Sequence, residues 1–120
     1  MNEIVFYKDR KGREPVLEYI KNLATLDSKE ARIKLNKIND YIEALSQYGT
    51  IIGEPLVKHI EGEIWELRPR KDRILFAVLD DGRYILLHNF EKKTRKTPKR
   101  EIEKANRELK DVKRRIKENE

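Results

Sequence analysis

The spacing of apolar residues along this chain changes period several times, and the changes divide it into elements. Ile4-Val5-Phe6-Tyr7 is a short apolar run of strand type. From Glu14-Pro15 onward, Val16, Tyr19, Ile20, Leu23 and Ala24 recur at helical spacing. Pro15 suits a first turn, where its missing N–H costs no intrahelical bond. Asp27-Ser28 interrupts the run and offers an N-cap. A second helix is expected from about Lys29 to Tyr48, with Ala31, Leu35, Ile38, Ile42 and Leu45 on one face and Gly49 placed to end it. Thr50 to Pro55 reads as a loop, and Leu56 to Ile60 as a short extended piece.

The period then shortens to that of a sheet. Ile64 to Arg68, Ile74 to Leu79 and Tyr84 to Phe90 are rich in β-branched, aromatic and other apolar residues. Asp80-Asp81-Gly82-Arg83 joins the last two, and Asp-Gly between apolar runs signals a hairpin. In the first of these strands, alternation places Trp65 and Leu67 on one face and Glu66 and Arg68 on the other. Ile64 then falls on the polar face, an imperfect separation. Thr97-Pro98 reads as a capping residue and first-turn proline for a last helix. Its stripe of Ile102, Ala105, Leu109, Val112 and Ile116 has heptad spacing. Only the part up to Leu109 need pack on the domain, and the charged remainder is expected to project or fray. The pattern predicts a single α+β domain over residues 1–120, an antiparallel meander joined by the first strand with its helices on one face.

Charge changes this picture by suggesting a partner. Of 120 residues, 42% are charged, and the net charge is +6. The positive charge is clustered, most densely at Lys92-Lys93-Thr94-Arg95-Lys96 after the last strand, which favours a polyanion such as nucleic acid. The absence of Cys excludes disulfides, thiolate metal sites and Cys nucleophiles. No signal-peptide pattern begins the chain and no run has the length of a membrane helix, so the expectation is a cytoplasmic protein without membrane contact. There is no Gly-rich phosphate loop, no metal-ligand spacing around His59 or His88, and no serine triad pattern. No metal or other cofactor is expected.

The remaining chemistry is that of cations on a sheet. Attack on an RNA phosphodiester by its own 2′-hydroxyl needs a base, an acid for the leaving oxygen, and positive charge on the phosphorane. Arg68, Arg73, Lys92 and Lys93 can supply the charge; Glu66, His59, His88 or a lysine can move the proton. A lysine among like charges loses its proton more readily than an isolated one. Lys58, His59, His88, Phe90, Arg95 and Lys96 complete the residues expected to contact RNA. The competing description is a solvated charged surface with Glu66 and Arg68 as an ion pair.

Glu63-Ile64-Trp65-Glu66-Leu67-Arg68-Pro69, with Phe90, Lys92, Lys93, Lys96, Thr97, Pro98, Glu101 and Ile102, resembles the HigB-type toxins of the RelE/ParE superfamily, in the phage-derived branch of bacterial type II toxin–antitoxin systems. The resemblance implies a RelE-like fold: an antiparallel sheet of four to five strands, two N-terminal helices on one face and a C-terminal helix. It implies a metal-independent endoribonuclease, a ribosome-dependent mRNA interferase cutting in the A site. It also implies a HigA-type antitoxin in a heteromeric complex, a heterotetramer. It maps the cationic catalytic positions onto Arg68, Arg73, Lys92 and Lys93. This chain departs from well-known superfamily members in having no Tyr after Tyr84 and no His after His88, so the base and acid stay open. The alternatives are a ParE-like gyrase inhibitor, which shares the fold, and a non-enzymatic nucleic-acid-binding regulator.

Overall fold

The computed structural model describes residues 1–120. The elements follow the hydrophobic pattern: β1 (Ile4–Phe6), α1 (Pro15–Thr25), α2 (Lys29–Tyr48), a 3-10 turn (Gly49–Ile52), β2 (Val57–Glu61), β3 (Ile64–Leu67), β4 (Asp72–Val78), β5 (Tyr84–Glu91) and α3 (Lys99–Glu118). Local chemistry sets several ends. The Ser28 hydroxyl accepts from the Ala31 N–H at 3.1 Å and starts α2. Gly49 ends α2 at φ 66, and a Cβ there would lie 2.6 Å from the Tyr84 hydroxyl, so the position needs glycine twice over. Gly82, at φ 90, closes the β4–β5 hairpin.

The sheet has five strands in the order β1-β5-β4-β3-β2. It is mixed, not antiparallel throughout: β1 runs parallel to β5, pairing Ile4 with Tyr84 and Phe6 with Leu86. The long crossover through both N-terminal helices lets β1 lie parallel to a distant strand, which a hairpin cannot do.

The helices are not gathered on one face, as the sequence reading expected. Val16, Leu23, Ala31, Ile38 and Leu45 of α1 and α2 pack on one face with Leu67, Ile74, Phe76 and Leu86. Ala105, Leu109 and Val112 of α3 pack on the other with Ile64, Leu75, Ala77, Ile85 and Leu87. The physical reason is in β4 and β5, whose apolar runs are buried on both faces, and such strands need cover on each side. Ile64, out of place on an open polar face, is fully buried beneath α3.

The far half of α3 does not fray. Val112 is buried, and Asp111 accepts from Tyr7 Oη at 2.8 Å and Arg10 Nε at 2.8 Å. Arg115 donates to Asp111 at 2.7 Å and to the Lys8 carbonyl. These bonds tie the last turns of α3 to the segment after β1. Thr97 does not cap the helix: Pro98 takes that position, and the Thr97 hydroxyl is committed to Glu66.

Candidate nucleic-acid interface and active site

Register, together with one irregularity, brings the candidate side chains to a common face. Lys58 lies opposite Glu66 across β2–β3, and Glu66 lies opposite Leu75 across β3–β4. Arg73 is two residues from Leu75 and shares its face. Strict alternation along β5 would send His88 and Phe90 to the α1–α2 face with Tyr84 and Leu86. A β-bulge intervenes: Phe76 pairs with Leu86, but Leu75 pairs with His88, leaving Leu87 extra. Beyond the bulge, His88 and Phe90 face α3, and Phe90 lies opposite Arg73.

The result is a cleft of about 270 Å³ between the exposed ends of β2, β3 and β4, the loop from Lys92 to Pro98 and the first turn of α3. It gathers Lys58, Arg68, Arg73, Lys92, Lys93, Arg95 and Lys96 around Phe90, with Glu66 as its one carboxylate. All the site residues singled out in the sequence line it except His88.

His88 is 1% exposed and held by α3. Its Nδ1 lies 2.5 Å from Glu108 Oε1 and its Nε2 lies 3.0 Å from Glu101 Oε1. Both ring nitrogens are taken by carboxylates of α3, so His88 is a buried structural residue that fastens the helix to the sheet. The sequence reading placed it against RNA; the bulge and the two α3 glutamates turn it inward instead. His59 borders the cleft, with its ring engaged on both sides. It pairs across from Trp65, on the α1–α2 side, with its ring centroid 5.0 Å from the indole. Its Nε2 donates to the Gly62 carbonyl at 2.8 Å, because a carbonyl only accepts.

The cations differ in freedom. Lys92, Lys93, Arg95 and Lys96 are exposed on the loop. The Arg68 side chain is 22% exposed and lies between Glu66, 3.4 Å from Nε, and the more exposed Glu54, 3.4 Å from Nη1. Arg73 is more buried, and its Nη1 donates to the carbonyls of Arg70 at 2.7 Å and Asp72 at 2.8 Å. Arg70 has φ 56, a left-handed conformation for a residue with a Cβ, and the Arg73 fork holds its carbonyl in place. Burial pushes the Arg73 guanidinium below its ordinary value; the Glu66 charge opposes that, and the like charge of Arg68 adds to it.

Glu66 is nearly enclosed. One oxygen accepts from Thr97 Oγ1 at 2.6 Å, and the other lies 3.4 Å from Arg68 Nε and 3.7 Å from Arg73 Nε. In sequence Thr97 has the signature of a helix cap and carries no sign of this bond; only the packing of α3 across β3 brings the two together. No group of His, Asp and Glu side chains has the arrangement of a metal site. The cleft can hold a polyanion by charge, present two guanidinium groups from the sheet and several ammonium groups from the loop, and offer the Phe90 ring to a base.

No helix is long and apolar enough to cross a membrane. No curated protein matches the chain significantly. The family described as Phage derived protein Gp49-like (DUF891) matches residues 21–110. That span includes every residue of the cleft, from Lys58 to Ile102. The chain therefore belongs to the phage-derived Gp49-like family, a toxin-like family of the RelE/HigB type.

Proposed function

We propose that this chain is the toxin of a type II toxin–antitoxin system and cuts mRNA on the ribosome. The observation that carries the reading is the convergence of loop and sheet cations on one cleft around a single enclosed carboxylate, in a toxin-like family. The two-helix hairpin on one sheet face is consistent with the expected RelE-like layout, and α3 covers the opposite face.

The chemistry follows from the cleft. An RNA strand is held by phosphate contacts to Lys92, Lys93, Arg95 and Lys96, with a base against Phe90. The 2′-oxygen attacks the adjacent phosphorus and the bond to the 5′-oxygen breaks, leaving a 2′,3′-cyclic phosphate and a 5′-hydroxyl. In this reading Arg68 and Arg73 stabilise the phosphorane, each such donor contributing about 10²–10³ in rate. One proton leaves the 2′-hydroxyl and one reaches the 5′-oxygen. With His88 buried under α3 and His59 bonded to the Gly62 carbonyl, these transfers fall to Glu66 or to the lysines Lys58, Lys92 and Lys93. The reaction calls for no metal. A HigA-type antitoxin, in a heteromeric complex in the cytoplasm, would neutralise the toxin.

Mapping transcript 5′ ends after brief induction, with translation running or blocked, tests the proposal. Cuts within translated frames that disappear when translation is blocked are expected. Cuts that persist would make the chain a free ribonuclease. Growth arrest without cuts would favour the ParE-like reading and a gyrase target, and no arrest would favour a non-enzymatic regulator.

A further inference from the structure

We infer that Glu66 is a positioning residue, not the proton acceptor, and that its bond with Thr97 clamps the basic loop over the two arginines of the sheet. The inference rests on the proposed cleft but makes a claim of its own about how that cleft is assembled.

Three observations carry it. First, Glu66 is inaccessible. Its side chain is 3% exposed, one oxygen is taken by Thr97, and the other faces the two guanidinium groups. A general base must come within hydrogen-bond reach of the hydroxyl it deprotonates. No substrate hydroxyl reaches a carboxylate enclosed in this way. Second, the Thr97 bond joins parts distant in sequence. Thr97 lies between the loop and α3, whose first turn has no side-chain cap of its own. The 2.6 Å bond to β3 therefore sets where the loop ends and where the helix begins. At the loop's other end, the Lys92 N–H donates to the Lys71 carbonyl at 2.7 Å. The segment between is fixed at both ends. Third, the cleft concentrates like charge that repels itself. One enclosed carboxylate beside Arg68 and Arg73 offsets part of that repulsion. The remaining proton acceptors are the lysines.

The test uses the full chain in four forms: wild type, Thr97→Val, Thr97→Ser and Glu66→Gln. Amide exchange is read at Lys92 and at Glu101 and Ile102, whose N–H groups donate to the Pro98 carbonyl. Affinity is read with a short 2′-O-methylated single-stranded RNA, which binds without being cleaved. Thr97→Val should speed exchange at Glu101 and Ile102 and weaken RNA binding, each by about tenfold, the scale of one lost hydrogen bond to a charged group. Thr97→Ser should restore both. In cleavage of mRNA on translating ribosomes, Thr97→Val and Glu66→Gln should lower the rate while leaving the limbs of its pH profile where they are in wild type. If Glu66→Gln removes the acidic limb, Glu66 is the proton acceptor and the inference fails. Unchanged exchange and unchanged affinity in Thr97→Val would also overturn it. If wild type cleaves no RNA, the proposed function fails, while the exchange measurement still decides the clamp.

Discussion

Lys92 and Lys93 share a charge and a loop with Arg95 and Lys96, yet they stand nearest the strand that carries Phe90, where loop and sheet meet. Neither makes an ion pair with a carboxylate, so replacement disturbs no folded contact of that kind. Lys92→Ala and Lys93→Ala, made singly, should each abolish growth arrest while the circular dichroism spectrum and melting temperature stay at wild-type values. Toxicity surviving both changes would refute their role. His88 behaves oppositely. It does not line the cleft but bonds both Glu101 and Glu108, and its removal leaves those carboxyl groups without their shared partner. His88→Ala should cost about 1–3 kcal/mol in urea denaturation. A loss below about 1 kcal/mol would mean that the two glutamates find water instead. The same residue type at 59 is exposed, and its replacement should cost far less.

At the scale of elements, two features govern the cleft: the bulge in β5 and the packing of α3. The bulge shifts the facing of His88 and Phe90 by one residue, and so puts an aromatic ring beside the cations. α3 supplies the second core, the His88 partners and the cleft's far wall at Ile102. Leu109 sits in that core at 4% exposure. Leu109→Ala should lower unfolding free energy by about 2–5 kcal/mol, read by denaturation. It should also loosen the cleft, because the helix that Thr97 anchors is the one that shifts. An unchanged stability would mean that α3 is less firmly seated than its contacts indicate.

For the whole molecule, charge sets the response to pH and salt. Burial raises Asp111, but the bonds from Tyr7 and Arg10 and the charges of Arg115 and Arg10 outweigh it and hold the carboxyl below its usual 3.8. A depressed acid contributes stability that is complete above the unfolded value and lost as pH falls through the folded one. Burial, then the bonds to Asp111 and Asp72, raise Tyr7 and Tyr19 above their usual 10.0. A raised group contributes stability that is complete below the unfolded value and lost as pH climbs through the folded one. Melting temperature should therefore be flat between these limits, falling below about 4 and above about 10. Asp111→Asn should make the acid fall shallower, and Tyr19→Phe the alkaline one; identical profiles in the variants would refute these assignments. Binding of single-stranded RNA should weaken with salt, with a log–log slope of about −0.7 per phosphate neutralised.

The sequence by itself determined the elements and most of the site's membership. Helices and strands were legible because their apolar periods are local, as in the α2 stripe from Ala31 to Leu45, and because Ser28, Gly49 and Asp81-Gly82 carry their own conformational preferences. The cations of the cleft were legible as a group because most of them cluster in sequence beside the last strand. Tertiary structure decided the rest. The parallel pairing of β1 depends on a crossover whose path no local pattern fixes. The second core depends on α3 meeting strands that are apolar on both faces. The bulge at Leu87 is invisible to alternation, yet it decides which way His88 and Phe90 point. The Thr97–Glu66 bond joins residues 31 apart, and only the docking of α3 across β3 turns a presumed cap and a presumed base into a clamp.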